Sequence, residues 1–370
     1  MSGFKPIDSL YVHIPFCSSI CGYCDFPKVI YRSDWAESYL MALFREIESF
    51  HIGKLKTIYV GGGTPTSLSS DQLDSLLSFL ERFLSEESEF TVEANPESLS
   101  LEKARFLATH HVNRISLGIE SCQSKFLSLM GRKHDFDLAK KALDNAIAVG
   151  ITNLNADMIF ALPGENLEEA LFDAEALLSL PIKHFSAYSL ILENQTVFAC
   201  KGFKEASEDV QGEMLEKIIE KAKEHGFHHY EISNFSKPGY ESKHNLTYWR
   251  DERYFGCGLG ASGYVNNVRY TNTKSLSLYI KEPAKNRQEE IVSPKDDLEY
   301  FLLTNLRLSK GFELSLFEDR FGKDFFSLFP SFYLEKERGL LTSENGRILC
   351  TDRGLLILDS ILEELFLNLD

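Results

Sequence analysis

The sequence predicts an α/β protein: a partial, open (β/α)6 barrel followed by a C-terminal, mostly helical, winged-helix-like module. Three observations carry this reading. Short apolar runs alternate six times with longer amphipathic stretches up to about residue 235, the pattern of strand–helix units around a parallel sheet. Six units fall short of the eight that close a barrel. Past residue 235 the rhythm breaks, and helical segments there lead into a short hairpin pattern. Periodicity alone does not separate the open barrel from a doubly wound sheet, because both are built from the same units.

The elements follow in order. Leu10–Ile14 reads as the first strand, and Ser33–Phe50 as its helix, with Ala36, Leu40, Leu43, Phe44, Ile47 and Phe50 at helical spacing. Thr57–Val60, Phe90–Glu93, Arg114–Ile119, Leu154–Phe160 and His184–Leu192 read as the next five strands. Their helices lie near Ser70–Leu84, Leu101–His110, Phe136–Val149, Leu167–Ser179 and Asp209–His225. Gly150 and Gly226 stand where a left-handed C-terminal stop is needed, and Pro181 ends the fifth helix. His229–Ile232 suits one more strand. Gly256–Gly263 is glycine-rich, and Glu282–Asp297, with Pro283 and Pro294, reads as a polar linker. Asp297–Arg307, Ser315–Phe321, Phe325–Glu337 and Leu355–Leu367 read as helices, with a hairpin from Gly339–Thr342 and Arg347–Thr351. The expected division is a barrel over 1–235, an extension and linker over 236–293, and a helical module over 294–370.

Composition narrows the function. Apolar residues make up 44% and charged residues 25%, as in folded globular chains, and the 28 Phe point to well-filled interiors. With 39 basic and 55 acidic residues the net charge is −16, which disfavours a nucleic-acid partner. No apolar run is long enough to span a bilayer and no signal peptide precedes Leu10, so a cytoplasmic protein that is not itself a membrane protein is expected.

The seven cysteines do not suit a disulfide framework, being odd in number and without a secretion signal. Cys17, Cys21 and Cys24 form C-x3-C-x2-C directly after the first strand. Thiolates are the usual ligands of iron–sulfur clusters, and three of them leave one iron of a 4Fe–4S cluster open. An open iron is a place for a cofactor, and S-adenosylmethionine (SAM) can fill it through its amino and carboxylate groups. Structural zinc is the rival reading, but it prefers four ligands, and no second cysteine pair follows.

The words around the cysteines are Tyr11-Val12-His13-Ile14-Pro15-Phe16-Cys17 and Cys21-Gly22-Tyr23-Cys24-Asp25-Phe26. They resemble the radical SAM superfamily, and within it the group of oxygen-independent coproporphyrinogen III oxidases and HemW-type heme chaperones. The resemblance runs through most of the chain. It implies a radical-SAM barrel, a 4Fe–4S cluster on the three cysteines, SAM, and Tyr11 at the SAM site, where plain core packing is the alternative.

Further words extend it. Gly61-Gly62-Gly63-Thr64-Pro65 ends the second strand, and glycine N–H groups can bind a carboxylate. The resemblance assigns Gly62, Gly63 and Thr64 to the amino-acid end of SAM. Glu93, in Glu93-Ala94-Asn95-Pro96, can pair with the SAM ammonium or serve as a loop acid. Glu120 stands where the family usually has Gln, which replaces an amide by an acceptor-only carboxylate. Arg132, in Gly131-Arg132-Lys133-His134, suits carboxylate recognition, with a plain surface arginine as the alternative. Asp157 is an acid inside an apolar strand and needs a partner. Arg132 and Asp157 resemble residues lining a second SAM or substrate position.

His244-Asn245-Leu246-Thr247-Tyr248-Trp249 matches H-N-x-x-Y-W and resembles the chaperone branch. His244 is read either as an axial ligand for heme iron or as a satisfied polar corner beside Tyr248 and Trp249. Phe26 in place of the oxidase's fourth cysteine, and a first strand beginning near residue 10, favour the same branch. The implied function is binding heme, with cluster and SAM, and passing it to acceptor proteins, some of them membrane-associated. The alternatives are oxidative decarboxylation of coproporphyrinogen III propionates in porphyrin biosynthesis, and a radical SAM enzyme with another substrate.

Overall fold

The computed structural model describes residues 6–367. Six parallel strands lie side by side in chain order: β1 (Ser9–Ile14), β2 (Leu55–Gly62), β3 (Leu84–Ala94), β4 (Arg114–Glu120), β5 (Asn153–Phe160) and β6 (His184–Ser189). That order decides for the open barrel, because a doubly wound sheet reverses direction at a switch point. Three strands outside the six-unit rhythm extend the sheet. β7 (His228–Glu231) lies beyond β8 (Asn234–Ser236), which runs antiparallel to both β6 and β7. β9 (Phe255–Cys257) joins β1 in parallel, so the two edges are β9 and β7, unpaired with each other among the described residues.

The helices start where the chain offers caps. α2 (Ser70–Glu81) and α6 (Leu167–Leu178) have complete capping boxes from Ser69/Gln72 and Asn166/Glu169. α1 (Ser33–Ser49), α3 (Leu101–Thr109) and α5 (Phe136–Ala148) fall within the expected segments, α8 (Glu208–Glu224) begins one residue before its expected start, and α5 and α8 stop at Gly150 (φ +91°) and Gly226 (φ +71°). Two short helices, α4 (Ser124–Met130) and α7 (Val197–Cys200), carry too few residues to show a period.

Each barrel strand alternates. Leu10, Val12, Ile58, Val60, Phe90, Val92, Ile115, Leu117, Leu154, Ala156 and Phe185 join the buried core with the helices. The intervening positions face inward and are mostly polar. One row across the strands reads Ser9–Thr57–Glu89. The next reads Tyr11–Tyr59–Thr91–Arg114–Asn153. Above it come Glu93–Ser116–Asn155–His184 and then Gly118–Asp157–Ser186. A barrel packed solid fills such rows with branched apolar residues. Here the interior is a polar well.

Helix α9 (Lys243–Trp249), which carries the H-N-x-x-Y-W word, plugs the N-terminal end of this well. The Glu89 carboxylate accepts from the Lys243 and His244 N–H groups, both at 3.2 Å, satisfying two of the helix's free donors. The Thr247 hydroxyl meets that of Ser9 at 3.0 Å.

The glycine-rich extension is fastened to α1 by one buried carboxylate. Glu46 accepts from Gly258 N (2.8 Å), Asn272 Nδ2 (2.8 Å), Arg287 Nη2 (2.8 Å) and the Tyr279 hydroxyl (2.5 Å). The expected linker 282–297 contains a strand instead, β12 (Gln288–Ile291), paired with β11 (Val268–Thr271), itself paired with β10 (Ser262–Val265). Gln-Glu-Glu-Ile has no apolar alternation, because all four residues are exposed and only the backbone pairs.

The C-terminal helices pack around their own aromatic core of Phe301, Phe312, Phe317, Phe325, Phe329 and Phe332. The first of them starts at Pro294, earlier than expected, with Ser293 as its cap. The segment expected as one helix over Phe325–Glu337 is two, Phe325–Leu328 and Phe332–Glu337, divided around Pro330. The hairpin pairs Leu341–Glu344 with Arg347–Cys350 around Asn345 (φ +52°) and Gly346 (φ +75°), the signature of a tight primed turn. The module meets the barrel at β7, where Ser309 N donates to Tyr230 O, and the extension at Asp251, which pairs with Arg320 of the module and Arg269 of the extension. No helix among the described residues is long and apolar enough to cross a membrane.

Candidate functional site

The cysteines lie at the C-terminal end of the well, opposite α9. Phe16–Cys17 pairs in parallel with Val29–Ile30, so the loop between them leaves and returns at one place. Four hydrogen bonds pin it. Gly22 N donates to Met130 O (2.9 Å), Phe198 N to Gly22 O (2.9 Å), Tyr31 N to Cys17 O (2.9 Å) and His13 Nε2 to Pro27 O (2.8 Å). Gly22 is required there, since a Cβ would lie 2.6 Å from the Phe198 ring.

The three thiols are free and within electrostatic reach of one another. Burial pushes Cys17 up to about 11, Thr64 opposes it, and Cys24 and Cys21 push it further up. Burial likewise raises Cys24. Among the described residues no three His, Cys, Asp or Glu side chains converge tightly enough for a single ion. The chemistry of the donor set still separates the two: structural zinc takes four ligands, whereas three thiols leave one iron of a 4Fe–4S cluster open.

The triple glycine answers to crowding from within the protein. A Cβ on Gly61 would lie 2.7 Å from the Glu93 carboxyl, on Gly62 2.5 Å from the His13 ring, and on Gly63 2.9 Å from Cys17 Sγ. In the structure these amides have partners within the protein, one of them a carboxylate. Gly62 N donates to Glu93 Oε2 (2.9 Å), Gly63 N to Ile14 O (2.8 Å) and Thr64 N to Phe16 O (2.8 Å). These three positions therefore hold the cysteine loop and Glu93 in place. The Thr64 hydroxyl faces Cys17 Sγ at 3.9 Å.

Four charged side chains and Tyr11 stand between floor and mouth. Glu93 also accepts from the Tyr59 hydroxyl (2.9 Å), and burial raises its carboxyl to about 7 against the Gly62 and Tyr59 donors. Asp157 accepts from Ser116 (3.1 Å) and Asn155 (2.8 Å), the partners its place in a strand requires. Glu120 has φ +69°, a strained conformation at the end of β4 that turns its carboxylate toward the cysteine loop. It accepts from the Tyr23 hydroxyl (3.1 Å), and burial lifts it to about 7 against the pull of Arg132. Arg132 lies 3.5 Å from Glu120, donates to Gly118 O and reaches Cys21 Sγ at 3.7 Å, with its buried Nε unpartnered. It is not a plain surface arginine. The Tyr11 hydroxyl meets His13 Nδ1 at 3.0 Å.

The structure thus gathers Cys17, Cys21, Cys24, Tyr11, Gly62, Gly63, Thr64, Glu93, Glu120, Arg132 and Asp157 around one well. It does not bring His244 to the mouth. His244 lies in the floor, 1% exposed, with Nδ1 2.8 Å from the Thr57 hydroxyl and Nε2 2.8 Å from that of Tyr248. Burial pushes it down to about 3, with Arg114 adding to the effect. A neutral imidazole with both nitrogens bonded has no lone pair free for an iron. That arrangement suits the polar-corner alternative.

His13, Tyr23, Tyr59, Asn95 and Arg114 also belong to the site and were not singled out from the sequence. For His13, Tyr59 and Arg114 the signal was the polar residue at every second strand position, which the apolar runs obscured; Tyr23 lies in the cysteine loop and Asn95 just past β3. A separate cleft of about 820 Å³ lies near the opposite strand ends, lined by Ser85, Ser88, Asn113 and Asn153.

Residues 11–177 match the radical SAM superfamily and residues 292–357 the HemN C-terminal domain. The chain is 40% identical over 373 residues to the heme chaperone HemW of Lactococcus lactis subsp. lactis, covering 98% of each. It is 39% identical over 366 residues to the heme chaperone HemW of Bacillus subtilis, covering 94% of this chain and 96% of that one. Among solved structures, the coproporphyrinogen III oxidase HemN from Escherichia coli superposes with a TM-score of 0.84 at 22% identity, covering 98% of this chain and 90% of that one. The last likeness establishes the shared fold alone.

Proposed function

The chain belongs to the HemW family of heme chaperones within the radical SAM superfamily, and from that premise we propose that it binds a 4Fe–4S cluster, SAM and heme and delivers heme to acceptor proteins. The observation that carries the cofactor part is the pinned loop of three free thiols facing Gly63, Thr64 and Arg132. Cys17, Cys21 and Cys24 would hold the cluster. When bound, cluster and SAM supply one-electron chemistry at the sulfonium. Glu93 would receive the SAM ammonium, and Tyr11 and Tyr59 would wall the well beside it. Arg132 would orient the loop through Cys21 and face a carboxylate with its unpartnered nitrogen.

Two features support heme at the mouth. Ile20 and Phe26 on the cysteine loop are exposed, as are Ile191 and Val197 on the segment bonded to Gly22, and they offer apolar contact to a macrocycle. The coproporphyrinogen oxidase alternative rests on shared fold, whereas the chaperone relatives match along nearly the whole chain. Anaerobic reconstitution followed by electron paramagnetic resonance with and without SAM tests the cofactor reading. Heme titration then tests cargo. A cluster signal unchanged by SAM, or no stoichiometric heme uptake, would sink the corresponding part.

A pH dependence follows from Glu93. Its carboxyl is neutral below about 7 and can pair with an ammonium only above that value. SAM affinity is expected to rise by up to about tenfold per pH unit below 7 and to stop rising between 7 and about 8, where an ordinary α-amino group starts to lose its proton. Ligand-free stability should move the other way. A raised carboxyl pKa means that the folded chain holds a proton the unfolded chain releases, so stability falls as pH climbs from the ordinary carboxylate value to about 7. Equilibrium dialysis and thermal melts across this range measure both, and a pH-independent SAM affinity would remove Glu93 from the role.

A further inference from the structure

We infer that His244 is a positioning residue for the wall that meets SAM, acting from the floor of the well through Tyr11 and Tyr59. The inference rests on the SAM reading above and deepens it.

The imidazole is fixed from two sides. Thr57, on β2, holds Nδ1, and Tyr248, one turn along α9, holds Nε2. The helix is itself anchored by Glu89 and by the Thr247–Ser9 contact. Directly above, the His244 ring centroid lies 5.3 Å from that of Tyr59 and 6.5 Å from that of Tyr11, and the two tyrosine rings are 6.1 Å apart. The three rings form one packed triangle, two of whose members belong to the inner wall.

Each tyrosine passes the placement upward. The Tyr59 hydroxyl donates to Glu93, which also holds Gly62 N. The Tyr11 hydroxyl donates to His13 Nδ1, because His13 Nε2–H is committed to the Pro27 carbonyl. Pro27 closes the cysteine loop. Two chains of contact therefore start at His244, one ending at the carboxylate proposed for the SAM ammonium and one at the loop proposed for the cluster. Without the imidazole, both phenol rings lose the surface beneath them, and their hydroxyls are free to leave Glu93 and His13.

The test uses the full chain after anaerobic cluster reconstitution, with SAM as probe in equilibrium dialysis and heme in a separate titration. His244→Ala is expected to weaken SAM roughly fivefold to tenfold, the scale of one lost hydrogen bond with its packing, while iron content and heme affinity stay at wild-type values. Thr57→Val and Tyr248→Phe each remove one partner of the imidazole without removing a candidate iron ligand. Both should weaken SAM in the same direction and by less, and they carry the test if His244→Ala fails to fold. Wild-type SAM affinity in all three variants would overturn the inference, as would loss of heme with SAM binding intact in His244→Ala. A wild-type chain that binds no SAM at all would instead strike the underlying SAM reading, which the same dialysis distinguishes.

Discussion

Serine at Cys17, Cys21 and Cys24 together is expected to leave the reconstituted chain without iron, without sulfide and without a cluster signal, while the chain itself stays folded. The substitution exchanges one atom per residue, so packing hardly changes. A serine hydroxyl stays protonated where a cysteine gives a thiolate, so three iron ligands disappear at once. The backbone anchors of the loop, from Gly22 to Met130 and from His13 to Pro27, involve no thiol and should survive. A melting temperature close to wild type alongside zero iron would establish that the thiols serve the metal and not the core. Wild-type iron content in the triple variant would refute the site.

The largest expected effect on stability comes from Glu46. Glu46→Leu leaves Arg287, Asn272, the Tyr279 hydroxyl and the Gly258 amide without their shared acceptor. Removing one member of a buried ionic cluster costs about 3–5 kcal/mol, because the remaining charge stays covered without compensation. Glu46→Gln keeps the shape and one carbonyl oxygen, and about 1–3 kcal/mol is expected. Chemical denaturation with a probe in the extension reads both values. A loss under about 1 kcal/mol for Glu46→Leu would mean that the extension is held by its rings, Tyr39 on Tyr279 and Phe50 on Tyr270, and not by the carboxylate.

What could be read from the sequence was what neighbouring residues encode. The six strand–helix units, the stops at Gly150 and Gly226 and the cysteine spacing each depend on a few adjacent positions. What escaped depends on residues far apart. Whether β9 joins β1 is settled by contacts more than 240 residues apart, as in Leu10 opposite Phe255, and nothing local encodes them. Gln288–Ile291 becomes a strand because β11 offers it an edge. His244 reads as an iron ligand or a polar corner until Thr57 and Tyr248 are seen on its two nitrogens. The glycines after β2 announce a close approach correctly, but what approaches is Glu93, His13 and Cys17.

The plug formed by α9 also sets a timetable for synthesis. Its partners Glu89, Thr57 and Ser9 leave the ribosome 155, 187 and 238 residues ahead of the helix residues they bind. At 5–20 residues per second that is a wait of roughly ten to fifty seconds. Once Ser189 completes β6, the nascent chain carries a barrel open to water at both ends, with its inner arginine and carboxylates hydrated. Only when residue 249 emerges can the bottom close, so a ribosome stalled before that point would present a bottomless, still soaked half-barrel to the proteases and chaperones around it.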